Sequence, residues 1–380
     1  HAVTLGGQRY VLNAMPAATD SPAPAAERSS PARASSAAGN ADVQQWIQQM
    51  GTTPPDWFEA TPLKYPDSLD LSWPQQPPKG WNNQRNVGQY LWDVIYPNPG
   101  RWKEGVRLLH HLLNLHQDDA EVRGRVMNTL GKAYHDLLED YGRAAFWWQQ
   151  AEVAEPNSRF PGNAPKLAAC YYRLGDKPMA VALLDRLERT SPSEGLIKIW
   201  GDIGEPQRAI RLTEGFVRGM PQDKGVHALF YVMAGDACRT NQMIQDAIRY
   251  YERALAAPAT GRYQKRIQRE QQRARANMEA VKLFELCDPT RVPDGTYQAS
   301  SLGYAGQVQV AVTVQGGRIT AVEVTKHQEK QFYSALTDTS AKIVRAQGVQ
   351  GVDATSSATI TSEAIINACL LYTSPSPRDS

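Results

Sequence analysis

The stretch DGTYQASSLGYAGQVQVAVTVQGGRITAVEV, residues 294–324, is where the chain changes from helical to strand-like patterning. Val308, Val310, Val312 and Val314 alternate with Gln307, Gln309, Ala311 and Thr313. A period of two puts the valines on one face of a strand and the polar set on the other. Gly316-Gly317 predicts a tight hairpin, because both central residues of such a turn need a positive φ that glycine adopts without steric cost. RITAVEV then reads as the returning strand. An amphipathic helix is expected over Ser334–Ala346, followed by the small-residue loop and helix start of DATSSATITSEAIINA, residues 353–368.

Upstream the periodicity is helical, and it repeats. One unit contains Leu130, Gly131, Tyr134, Ala144, Trp148, Ala151 and Pro156. The next contains Leu167, Ala168, Tyr171, Ala180, Leu184, Leu187 and Pro192. Leu196, Trp200, Ala209, Phe216 and Pro221 form a third unit, and Gly235, Ala247, Tyr251, Ala254 and Pro258 a fourth. The closing prolines lie 36, 29 and 37 residues apart. Small residues where two helices cross let their backbones approach, large ones fill the wedge toward the next unit, and proline stops the second helix. Residues 86–258 thus resemble a tetratricopeptide array, whose period is about 34 residues. With a more divergent unit over Tyr90–Leu115, that makes about five units. The resemblance implies an all-α solenoid that docks protein partners.

Flanking segments have different compositions. Residues 1–13 read as a β-hairpin, Val3 and Leu5 before Gly6-Gly7 and Tyr10-Val11-Leu12 after it, left over from an upstream domain. Residues 14–41, rich in Ala, Ser and Pro, read as a linker. Residues 42–85 carry Trp46, Trp57, Trp73 and Trp81 among many prolines, which predicts an extended strap with tryptophan packing anchors. Residues 259–287 read as one long capping helix. Between Arg262 and Arg275 six basic residues, Arg262, Lys265, Arg266, Arg269, Arg273 and Arg275, stand against Glu270 alone, and they read as a solvated face.

Residues 288–368 carry a second resemblance. Asp294-Gly295-Thr296-Tyr297, Gly303-Tyr304-Ala305-Gly306, the hairpin, His327-Gln328-Glu329 and Asp353-Ala354-Thr355-Ser356-Ser357-Ala358-Thr359-Ile360-Thr361-Ser362 follow in order. That order is similar to the covalent FMN-binding family, as found in subunits of sodium- and proton-linked respiratory complexes. The resemblance implies a small α+β domain with FMN as cofactor. It also implies Thr359 as the hydroxyl esterified to the flavin phosphate by a flavin transferase. Asp353, Ser356, Ser357, Ala358, Thr361 and Ser362 belong to its acceptor motif, and Tyr304, His327 and Glu329 are candidates to border the flavin. Where the family motif has glycine this chain has Ser357, strained if that position needs a positive φ. Small neighbours leave the acceptor loop accessible, and SEAIINA starts a helix with Thr361 or Ser362 as its N-cap. A phosphate on Thr359 would lie near that helix N-terminus, where free N–H groups favour an anion.

The remaining chemistry is sparse. With 41 basic and 39 acidic residues the net charge is +2, too balanced for a nucleic-acid-binding protein. Cys170, Cys238, Cys287 and Cys369 form no C-x-x-C pair, and no histidine spacing marks a metal. No catalytic acid, base or nucleophile stands out. No run reaches the roughly 18 apolar residues that a membrane helix needs. The opening at His1 leaves room for an upstream signal segment, and residues 369–380 read as non-native, like a translated sequencing adapter. The expected whole is multidomain, a tetratricopeptide solenoid followed by an α+β FMN-binding domain. It would act outside the cytoplasm as an electron carrier, possible partner of a membrane-bound redox complex. Two alternatives are an interaction scaffold with a degenerate flavin domain and part of a flavin-dependent reductase whose catalytic domain lies elsewhere.

Overall fold

The computed structural model describes residues 2–5, 8–11, 13–15, 40–154, 163–221, 224–283, 288–304, 306–329, 334–349, 352 and 359–373. These form fourteen α-helices and six strands in two compact units. One unit comprises residues 31–190 with 330–334, and the other comprises 1–30, 191–329 and 335–380.

In the first unit α1 (Asn40–Thr52) and the short α2 (Val87–Tyr90) precede α3 (Trp102–Leu115), α4 (Ala120–Asp136), α5 (Tyr141–Ala154), α6 (Ala164–Arg173) and α7 (Lys177–Thr190). Helices α4 and α5 pack as one hairpin, α6 and α7 as the next. Gly131 shows why the small residue is needed, since a Cβ there would come within 2.4 Å of Trp148. Ala144, Ala168 and Ala180 are fully buried. The stretch expected as an extended strap begins with a helix instead: α1 ends before Pro54, so the prolines shape only the segment after it. Trp73 is buried there, with Arg125 over its ring.

The second unit opens with the strand pair β1 (Ala2–Leu5) and β2 (Gln8–Val11), antiparallel as the glycine pair between them predicts. Helices α8 (Gly195–Asp202) and α9 (Pro206–Gly219), then α10 (His227–Thr240) and α11 (Ile244–Ala256), form two further hairpins. At Gly235 a Cβ would meet Tyr251 at 2.5 Å, repeating the Gly131–Trp148 arrangement. Helix α12 (Gln264–Leu283) follows and packs on α10 and α11.

The sheet has the order β3 (Asn13–Met15), β4 (Gly295–Leu302), β5 (Gln307–Gln315), β6 (Arg318–Lys326), all antiparallel. Val308, Val310, Val312 and Val314 are buried, as their period requires. Gly316 and Gly317 have φ of 58° and 70° and close the β5–β6 turn, where Asp294 Oδ1 accepts from the Gly316 N–H at 2.7 Å. Strand β3 differs from the reading of the N-terminus as remnant and linker. Its backbone pairs Asn13 with Gln298 and Met15 with Thr296, on the edge of the C-terminal sheet.

Two helices complete the unit, α13 (Ser334–Ala346) and α14 (Thr359–Thr373). Gln347 ties the end of α13 to β6 by bonding both the N–H and the carbonyl of Ile319 at 3.0 Å. Helix α14 lies against β4 and β5, with Ala364, Ile365, Ile366 and Ala368 buried. Cys369 and Leu370 continue its buried face, so the helix runs through the boundary set at residue 368. One apolar core joins the sheet valines and α14 to Tyr231, Val232, Tyr251, Ala274 and Val281 of α10, α11 and α12.

Candidate functional site

The site grows from the turn between β4 and β5. The Gly303 N–H donates to the Gly306 carbonyl at 2.8 Å, which closes the Gly-Tyr-x-Gly turn. A Cβ at Gly303 would stand 2.5 Å from Glu329 Oε1 and 2.7 Å from a methyl of Val308, so the turn can seat against Glu329 only without a side chain there. Tyr304 at the tip is 49% exposed, unusual for so large a ring.

Glu329 follows β6 and is buried. Its Oε2 accepts from Thr361 Oγ1 at 2.7 Å, which ties the turn to the first coil of α14. Ser362 Oγ accepts from Thr339 Oγ1 of α13 at 2.9 Å. Both hydroxyls are buried, and both lie inside α14, which begins at Thr359. This corrects the N-cap reading: with the helix starting at Thr359, Thr361 and Ser362 lie inside it and bond side chains of neighbouring elements instead of capping. The turn that carries Tyr304 thus meets Glu329, Glu329 meets Thr361, Ser362 bonds toward α13 instead, and half-buried His327 lies two residues from Glu329. Asp353, Ser356, Ser357 and Ala358 lie outside the described residues. Thr359 is described as the first residue of α14 by its backbone.

Behind this turn lies a feature that sequence reading missed. Glu363 of α14 is buried and meets three side chains from two other helices, two of them by hydrogen bonds. Arg273 Nε and Asn277 Nδ2 of α12 bond its Oε2 at 2.9 and 2.8 Å, and Arg239 Nη2 of α10 is 3.0 Å from its Oε1. Arg273 also pairs with Asp236 and Glu270, and Tyr251 Oη donates to Asp236 Oδ1 at 2.8 Å. Arg273 is thus no part of a solvated face: its side chain is 11% exposed and holds three carboxylates. Burial alone would raise the Glu363 carboxyl, but Arg273 and Arg239 beside it outweigh that and hold it down at about 2. Asp236 goes the other way. Burial, with the Glu363 charge adding to it, pushes its carboxyl up to about 7 against the opposing pull of Arg273.

An exposed turn, a buried carboxylate and the start of a 15-residue helix lie together at one end of a small α+β domain. The first four N–H groups of a helix have no intrahelical partner, and its dipole favours negative charge there. Residues 303–370 match the FMN-binding domain family, which supports FMN as the cofactor. Over 84 residues, 22% of its length, the chain is 45% identical to an uncharacterized protein of Treponema pallidum (strain Nichols), and the match spans 23% of that protein. The helix start suits a phosphate group, and Tyr304 at the tip of the turn offers an exposed ring. Among the described residues, no helix is long and apolar enough to cross a membrane.

Proposed function

We propose that the protein is an FMN-bearing electron carrier that acts outside the cytoplasm. Its flavin is esterified to Thr359 by a flavin transferase, and its helical hairpins form a tetratricopeptide array that docks redox partners. The observation that carries this reading is the Thr361–Glu329 bond. It brings the Gly-Tyr-x-Gly turn against the first coil of α14, which begins at Thr359. FMN supplies the chemistry when bound, accepting and passing on electrons. The chain supplies placement: the N–H groups at the start of α14 would hold the phosphate, and Tyr304 and His327 would border the ring. Glu329 fixes the distance between turn and helix.

Co-expression with a flavin transferase, followed by denaturing electrophoresis and in-gel flavin fluorescence, tests the reading. A fluorescent band that disappears in Thr359→Ala is expected. A band that persists in Thr359→Ala moves the attachment elsewhere, and absence of flavin from both native and denatured protein overturns the function.

A further inference from the structure

Helix α12 lies wholly before the matched stretch, yet it touches the flavin site at two places. Arg266, Arg269 and Arg273 are spaced by three or four residues and so share one stripe of the helix. Their environments differ. Arg266 is paired with Glu194 at 2.9 Å, and Arg273 is buried among three carboxylates. Arg269 lies between them, 46% exposed. Its guanidinium carbon is 5.2 Å from the centre of the Tyr304 ring, and its nearest carboxylate, Glu270, is at 3.5 Å. A guanidinium stacked on an aromatic face keeps its edge donors available, because stacking uses the plane and not the N–H groups.

The local charge balance needs that cation. Glu329 brings a carboxylate to the junction of turn and helix, which works against an anionic cofactor. From Arg269 the contacts run to Tyr304, through its turn to Glu329, then to Thr361 and the start of α14.

We propose that α12 is a wall of the flavin site, with Arg269 the residue that attracts the FMN phosphate and Arg273 a positioning residue that fixes the first coils of α14 through Glu363. This rests on the flavin reading above. It makes residues outside the matched domain determinants of cofactor affinity and of preference for FMN over riboflavin, which lacks the phosphate.

The test uses the full chain with Thr359→Ala, so that binding is reversible, and titrates FMN and riboflavin in parallel at low and high salt. Arg269→Gln is expected to weaken FMN by about two- to fivefold at low salt, and Arg269→Glu by more. Riboflavin affinity should be unchanged, Arg269→Lys should restore most of the loss, and half-molar salt should remove the difference. Because Arg269 is exposed, these variants are expected to keep the parent's melting temperature. Arg273→Lys, which retains charge but not the fork, should weaken both ligands together. Equal FMN affinity in parent and Arg269→Gln overturns the inference alone, as does an equal loss for riboflavin. A parent that binds neither ligand overturns the flavin reading and this inference with it.

Discussion

Two buried ionic clusters occupy the helical parts of the two units, and they differ in what they join. In the first, His135 Nδ1 lies 2.7 Å from Asp136 Oδ1, and Lys166 Nζ is 3.1 Å from Asp136 Oδ2. It connects α4 to α6, one helical hairpin to the next. In the second, Asp236 and Arg239 of α10 meet Glu270, Arg273 and Asn277 of α12 and Glu363 of α14. It connects a hairpin to α14, the helix that packs on the C-terminal sheet. The same physics, a desolvated carboxylate held by cations, stiffens a stack in one case and fixes a functional element in the other. What changes is the helix at the far end of the network, α6 in the first and α14 in the second.

The sharpest way to break the comparison is to remove one cation from each. Arg273→Ala leaves Glu363 and Asp236 buried with reduced compensation and should cost about 3–5 kcal/mol in urea unfolding. Lys166→Ala leaves Asp136 its His135 partner and should cost less, about 1–3 kcal/mol. FMN affinity should fall in the first variant and stay at the parent value in the second. Equal losses of stability with FMN binding intact in both would mean the second cluster is only structural.

Thr361→Val probes the link from α14 back to the turn. Glu329 loses one donor while volume is kept, for a cost of about 1–3 kcal/mol and a drop in FMN affinity measured by fluorescence titration. An unchanged affinity would detach the Glu329 contact from the site.

Acidity should separate the clusters by sign, and this is the smallest effect. Burial lowers His135 despite Asp136, so its neutral form is favoured in the fold. A depressed group stabilises above its unfolded pKa, about 6.5 for histidine, and that stability is lost as pH falls below it. Asp236 is raised to about 7, so its contribution is complete below the ordinary carboxylate pKa of about 4 and is lost as pH rises through 7. Hydrogen exchange at pH 5 and 7.5 should therefore find α10 better protected at the lower pH and α4 better protected at the higher. Asp236→Asn should flatten the α10 dependence, whose slope is at most about 1.4 kcal/mol per pH unit. Glu363, held at about 2, loses its contribution only below about 4.5, the ordinary glutamate range.

Why one cluster's role was invisible in the sequence follows from its spacing. The β5 valines, the Gly316-Gly317 turn and the Gly131 and Gly235 crossings are local patterns with a fixed period, and each is legible from neighbours a few residues away. Arg273 and Glu363 are single charges 90 residues apart, without a period to mark them, and among the basic residues of α12 nothing distinguishes the one that turns inward. Thr361 and Ser362 were legible as hydroxyls at a helix start. Their partners Glu329 and Thr339 were not, because a two-residue shift in where the helix begins turns a cap into a contact. Strand β3 is three residues long in a segment of low complexity, too short for alternation to register.

That strand has a consequence for the order in which the molecule is made. Asn13 and Gln298 are partners, so the first part of the sheet leaves the ribosome some 280 residues before the strand it pairs with. At the roughly 5–20 residues per second of synthesis, β3 waits for tens of seconds while the helical hairpins assemble one after another. The β4 edge, in turn, can be covered only by closing a loop as long as most of the chain, which is slow. Until then it presents unpaired backbone to any neighbouring strand.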